Sequence, residues 1–227
     1  GGSTPQPGEI SLAHNGVLFL DELPEYQRSV IEVLRQPLEE RKVTISRARM
    51  TTDYPASFML IAAANACPCG YYNHPTKECT CSPGQVNKYL GKISGPLMDR
   101  IDIHLEVMPL SPTELASKKP GETSAEIRQR VIVARSIQEE RYRNFPGIHC
   151  NAQINTKLFN QYCAIDADCQ RLMAQAMEKL GLSARAHDRI LKVARTIADL
   201  AHSESITVEH ISEAINYRTL DRNSWGK

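Results

Sequence analysis

Residues Gly16 to Glu22 read GVLFLDE, a continuous apolar run that closes on two acids. A strand buried on both faces of a parallel sheet has no side left for polar residues, so such a run predicts one. Its end then puts Asp21 and Glu22 at the carboxyl edge of the sheet, where open α/β sheets receive ligands. In nucleotide-hydrolysing motors the first acid of such a pair holds Mg²⁺ through water and the second orients the attacking water. An acidic turn that merely ends a strand is the plainer alternative.

Working outward, Phe58 to Ala64 (FMLIAAA) predicts a second buried strand, with Asn65 at its end. A neutral amide there can hydrogen-bond an attacking water or a terminal phosphate without adding charge, although Asn also suits a simple turn. Between these runs, Val30, Val33, Leu34 and Leu38 recur at helical spacing, with Pro37 placed to close or kink the helix. Val43 and Ile45 alternate with Thr44 and Ser46, and Arg47-Ala48-Arg49 turns the chain into Met50–Thr52 as a small hairpin. Ile101, Ile103, Leu105 and Val107 alternate with polar residues, the pattern of a half-buried strand. From Thr123 the texture changes to helices over 124–143, 156–163, 167–180, 183–202 and 208–217, with Asp166, Ser183 and Thr207 as caps and Gly181 as a stop. The stretch 111–123, with two prolines and a glycine, is the expected linker. The fold class is therefore α/β over 1–110, followed by an all-α domain over 124–227.

The chain has 227 residues, 41% of them hydrophobic and 23% charged, which suits globular domains rather than a rod or a disordered segment. Its net charge of +1 excludes a strongly basic nucleic-acid binder but not a local basic patch. No apolar run approaches the roughly 20 residues that a membrane span needs. No leader pattern opens the chain and its seven cysteines are an odd number, so a reduced, cytoplasmic protein is expected.

Three further groups carry chemistry. Cys67-Pro-Cys69 and Cys79-Thr-Cys81 are separated by nine residues, short enough for four thiolates to converge on Zn²⁺. The C-x-C spacing is tighter than the usual C-x₂-C, and disulfides or plain reduced thiols remain open. Arg100 ends Ser94-Gly95-Pro96-Leu97-Met98-Asp99-Arg100, where a guanidinium could meet phosphate or simply pair with Asp99. Arg185, Arg189 and Lys192 share one face of the helix from Ser183, and Arg185 lies in its first turn, where anions are favoured.

The order GVLFLDE, AAAN, SGPLMDR and LSARAHDRILKVARTIADL resembles the magnesium-chelatase-like branch of AAA+ ATPases. The pattern is most similar to the ComM/YifB-type members, bacterial proteins of competence and DNA processing. The resemblance runs over nearly the whole chain, including PGEISLAHNGVLFLDELPE and CPCGYYNHPTKECTC. It implies a partial AAA+ core followed by a helical lid, ATP and Mg²⁺ as cofactors, and a homo-oligomeric ring, expected to be a hexamer. By the same resemblance Asp21 and Glu22 are the Walker B acids, Asn65 is sensor 1, Arg100 is an arginine finger and Arg185 is sensor 2. In related ring helicases an insertion before the sensor-1 strand points into the pore. Here ERKVTISRARMTT places Arg41, Lys42, Arg47 and Arg49 around that hairpin with no acid between Arg41 and Thr52, suited to DNA phosphates. A solvated hairpin, or one paired with acids of another subunit, is the alternative.

One departure stands out. The phosphate-cradling pattern G-x-x-x-x-G-K-[ST] is absent, and the internal Gly91-Lys92 is followed by Ile93 in the wrong place. In the family that loop precedes Walker B, so the chain is expected to be the C-terminal part of a longer protein and inactive alone. The expected function is an ATP-driven DNA helicase or branch-migration engine. A non-DNA remodelling ATPase like the chelatase motor subunit is the alternative, and a zinc-stabilised interaction module is a third.

Overall fold

The computed structural model describes residues 5–47, 50–111, 116 and 121–218. These divide into two compact units, one up to Ile101 and one from Asp102.

The first unit runs α1 (Glu9–Leu12), β1 (Val17–Leu20), a 3-10 turn (Leu23–Glu25), α2 (Arg28–Val33), α3 (Arg35–Glu40), β2 (Lys42–Arg47), β3 (Met50–Pro55), β4 (Met59–Ala62), α4 (Pro83–Leu90) and α5 (Gly95–Met98). β1 pairs in parallel with β4, Val17 opposite Met59 and Leu20 opposite Ala62. β2 and β3 form the antiparallel hairpin, Lys42 opposite Pro55 and Arg47 opposite Met50. Its tip, residues 48–49, lies outside the described residues.

The strands differ from the sequence expectation in one respect. Leu18 and Leu20 pack on a core of Leu23, Ile31, Leu34, Ile93, Leu97 and Met98. The opposite face is open: Val17, Phe19, Met59 and Ile61 are exposed, Phe19 by 59%. An uninterrupted apolar run is therefore covered on one side only among the described residues. A similar correction applies to the helical stretch after Pro24, which is split at Leu34 into α2 and α3. It buries Ile31 and Leu34 and leaves Val30 and Val33 exposed. The stretch 101–107 is not a strand at all. Its alternation finds no partner ladder among the described residues, and Val107 is 89% exposed. Alternation prepares a strand, but only a neighbour's hydrogen bonds make one.

The second unit contains α6 (Ser124–Tyr142), α7 (Thr156–Tyr162), α8 (Ala167–Leu180), α9 (Ala184–Leu200) and α10 (Val208–Asn216). Each start has a local cause. Asp166 accepts from the Cys169 N–H at 2.8 Å and Ser183 from the Ala186 N–H at 3.2 Å. Glu126 accepts from the Thr123 N–H at 2.8 Å, and the Thr207 N–H donates to His210 Nδ1 at 3.1 Å. α8 stops at Gly181, whose φ of +62° is left-handed. The helices close on Leu158, Met173, Ile190, Leu191, Ala194 and Ile211. Beside this apolar core lies a buried polar hub. Asp199, with no side-chain exposure, takes Arg141 Nη1 at 2.8 Å, Asn151 Nδ2 at 2.8 Å and Arg195 Nε at 3.2 Å. Arg195 also donates to the carbonyls of Ser203 at 2.6 Å and Glu204 at 2.7 Å, satisfying the loop that follows α9.

Candidate functional site

Hydrogen bonding carries the β1–β4 pairing past the strand ends. The Ala63 N–H donates to the Leu20 carbonyl at 2.9 Å, and the Leu23 N–H donates to the Ala63 carbonyl at 2.9 Å. Asp21 and Glu22 are thus clamped at the same sheet edge at which Asn65 leaves β4, and all three side chains are exposed. Asp21 Oδ1 accepts the Glu22 N–H at 2.9 Å, which fixes the first carboxylate against its own backbone. Glu22 sits in the left-handed region, φ 49° and ψ 46°. A non-glycine residue there costs on the order of 1–3 kcal/mol, and such strain gathers at functional sites. Arg41 and His202 share this conformation but lie just past helix ends, where it terminates a helix. Glu22 has no such excuse, since it follows a strand.

Arg100, just past α5, is paired with Glu39. Its Nε donates to Glu39 Oε2 at 2.9 Å and its Nη1 to the Pro96 carbonyl at 2.7 Å, while Nη2 completes an ion pair with Glu39. Glu39 was not singled out by any motif, because it lies 61 residues away and follows no spacing rule. α5 itself is capped by Ser94, whose Oγ accepts from the Leu97 N–H at 3.3 Å. The Ser94 hydroxyl and Arg35, whose Nη1 donates to Glu32 Oε2 at 2.9 Å, hold the Glu32 carboxyl below its usual range.

In the second unit, Arg185 occupies the exposed first turn of α9. Its two neighbours on that face are engaged in structure. Arg189 pairs with Asp102, and Lys192 Nζ donates to the Ile154 carbonyl at 3.2 Å.

On the hairpin, Lys42 Nζ lies 2.8 Å from Asp53, whose other oxygen takes the Thr44 hydroxyl at 2.6 Å. Asp53 is one residue beyond the acid-free stretch, and it offsets one of the four cations. Arg41 is the left-handed cap of α3. Of Arg47 only its place at the end of β2 is described, and Arg49 lies outside the described residues.

The cysteine loop converges. Cys67 and Cys69 Sγ are 3.3 Å apart, Cys67 and Cys79 3.7 Å, and Cys69 and Cys79 3.6 Å. With Cys81, all four lie within 4.8 Å of one another, and none is in a disulfide. Local hydrogen bonds set the loop. His74 Nδ1 accepts from the N–H groups of Thr76 at 3.2 Å and Lys77 at 3.1 Å. Gly70 takes the left-handed turn, with φ +80°. The helix that follows, α4, was not foreseen. Ser82 and Gln85 cap it reciprocally, Ser82 N–H to Gln85 Oε1 at 2.8 Å and Gln85 N–H to Ser82 Oγ at 3.4 Å. The signal was present as Ser-x-x-Gln with Pro83 at the first helical position.

Residues 1–115 match the family described as magnesium chelatase, subunit ChlI, and residues 121–218 match its C-terminal family, magnesium chelatase, subunit ChlI C-terminal. Among individual proteins, the chain is 46% identical to YifB of Escherichia coli (strain K12), covering 98% of this chain and 43% of that protein. It is 45% identical to the competence protein ComM of Haemophilus influenzae, over 98% of this chain and 42% of ComM. To the chloroplastic magnesium-chelatase subunit ChlI of Oryza sativa subsp. indica it is 23% identical, over 92% and 44%. The chain thus spans less than half the length of these relatives. With both of its units matched in order, the chain belongs to the magnesium chelatase subunit ChlI family.

Proposed function

We propose that this chain is the C-terminal part of an ATP-hydrolysing AAA+ ring motor that works on DNA as a helicase or branch-migration engine. The observation that carries the reading is the sheet edge at which Asp21 and the left-handed Glu22 follow β1 and Asn65 follows β4, its parallel neighbour. Two carboxylates and a neutral amide fit a nucleotide's metal and attacking water. Asp21, fixed by the Glu22 N–H, is the group to hold Mg²⁺ through water. With nucleotide bound, the Glu22 carboxylate would accept a hydrogen bond from the attacking water and orient it, and Asn65 would donate to the same water or to a phosphate oxygen. Mg²⁺ neutralises charge on the phosphates when bound. In this reading Arg100 is the arginine finger for a neighbouring subunit and Arg185 is sensor 2 of the helical lid. The sequence holds no G-x-x-x-x-G-K-[ST], so the phosphate cradle must come from elsewhere in the protein, and this chain alone is expected to hydrolyse no ATP.

The DNA assignment is supported by the likeness to ComM and by the cations of the β2–β3 hairpin. Lys42 contributes less to it than its charge suggests, because Asp53 offsets it. No aromatic lies in the hairpin tip, so binding should be indifferent to sequence. The deciding experiment measures ATP hydrolysis by the full-length protein with and without DNA. DNA should stimulate turnover, Glu22→Gln should abolish hydrolysis while sparing ATP binding, and Arg47→Ala/Arg49→Ala should lose stimulation and flatten the salt dependence of DNA binding. A protein whose turnover ignores DNA would instead be a remodelling ATPase of the chelatase kind.

A further inference from the structure

The cysteine loop is absorbed by none of the roles above. We propose that Cys67, Cys69, Cys79 and Cys81 hold one structural Zn²⁺, and that the metal loop and α4 together brace the turn that carries Glu22. The metal half stands independently of the ATPase reading; the significance of the brace rests on it.

The sulfur geometry argues first. Zn–S bonds of about 2.3 Å directed to a tetrahedron set sulfur atoms roughly 3.8 Å apart. The recorded separations of 3.3, 3.7 and 3.6 Å lie near that edge length. They are far from the roughly 2.05 Å of a disulfide. Four sulfur ligands with no room for a water ligand describe a closed structural site, and tetrahedral S₄ sites select zinc or iron. Zinc carries no redox chemistry and suits a site whose role is structural.

The packing argues second. Cys67 is fully buried and forms a small core with Val86, Tyr89 and Leu90 of α4, against which Cys69, Cys79 and Cys81 also pack. Two C-x-C pairs joined by a polar nine-residue loop have no other apolar mass to hold them, so a metal supplies the cross-link that a core this small lacks. α4 begins two residues after Cys81 and is therefore tied to the metal loop directly.

The third observation links this core to the site. Tyr89 packs in this core beside Cys67, and the carboxylates of Glu25 and Glu22 lie near its hydroxyl; Glu25 ends the 3-10 turn that begins just after Glu22. Within that turn the Glu25 N–H donates back to the Glu22 carbonyl at 2.7 Å. Tyr89 thus stands between the metal loop and the turn that carries Glu22, and acts as a positioning residue there.

The test begins with elemental analysis of the reduced chain, purified without chelator or added metal. One equivalent of zinc is expected, released in step with titration of four thiols by a mercurial. Cobalt(II) exchanged into the site should give thiolate-to-metal charge transfer and the visible bands of a tetrahedral ion. Protein with four free thiols and no zinc, or with iron in its place, overturns the metal assignment. Cys79→Ser should lose the zinc, and should it fail to fold, the mercurial titration of unaltered protein still decides. For the brace, hydrogen exchange at the Leu23 amide is followed in the zinc protein, after zinc removal, and in Tyr89→Phe. Zinc removal should speed exchange about tenfold, on the scale of one lost hydrogen bond. Tyr89→Phe should do the same while retaining its zinc. Unchanged exchange in both refutes the brace, and because neither readout involves ATP, that failure is distinct from failure of the ATPase reading.

Discussion

If Arg100 acts on a neighbouring nucleotide it must first leave Glu39, and the price of leaving can be worked from the contacts. The guanidinium is held by Nε to Glu39 at 2.9 Å, by Nη2 to the same carboxylate, and by Nη1 to the Pro96 carbonyl at 2.7 Å. The Arg100 side chain is 10% exposed but that of Glu39 is 43% exposed, so water screens one end of the pair. A fully buried pair would resist rupture by several kcal/mol; a pair screened in this way is worth about 1 kcal/mol. Glu39→Gln removes the charge and keeps the shape. It should therefore release Arg100 and raise turnover by up to about fivefold, the rate equivalent of about 1 kcal/mol. Arg100→Ala should lower turnover by about 10³-fold, the scale of an arginine finger, and the double variant should match it. The assay is steady-state phosphate release by the assembled full-length protein at saturating ATP. A Glu39→Gln protein as inactive as Arg100→Ala would show that Glu39 orients the arginine rather than restrains it. A Glu39→Gln protein that gains turnover even without Arg100 would sever the pair from catalysis altogether.

Two other outcomes test the helical unit. Asp199→Asn should leave Arg141 and Arg195 buried without a compensating charge and cost about 3 kcal/mol, read as a lower urea midpoint at unchanged slope. An unchanged midpoint would mean that Asn151 and the Ser203 and Glu204 carbonyls satisfy both arginines on their own. Asp166 is held below its usual range, chiefly by the Cys169 backbone N–H. Its folded-state value lies below the unfolded one, so its contribution is present above pH about 4 and is lost as pH falls through the folded-state value. Asp166→Asn keeps a cap but cannot titrate. Thermal unfolding of the variant should therefore depend less on pH below about 4 than that of the unaltered chain, and parallel curves would rule out this assignment.

What the sequence determined by itself was local. The helices of the second unit follow from a 3.6-residue period and from caps such as Asp166, Ser183 and Gly181. Those signals act within a turn or two, so α8 falls at 167–180 as read. The strand β1, closed by Asp21 and Glu22, was equally legible, because a short continuous apolar run predicts a strand. The order of motifs, compared along the chain, pointed to the family.

The tertiary structure decided what depends on a partner far along the chain. Alternation over 101–107 met no neighbouring ladder among the described residues and made no strand, while the plainer stretch 50–55 became one because β2 lay beside it. The run in β1 was apolar enough for two covered faces, yet only contacts between elements determine which faces are covered. Lys42 and Asp53 are brought together by hairpin register, and Arg100 finds Glu39 across 61 residues. Four cysteines in two pairs suggested a cluster, but only the fold could bring their sulfurs to tetrahedral spacing and set Tyr89 between them and Glu25. A cap or a helical face is settled by residues three or four apart, which a sequence displays. A strand, an ion pair or a ligand set is settled by distances through space, which do not exist until the chain has folded.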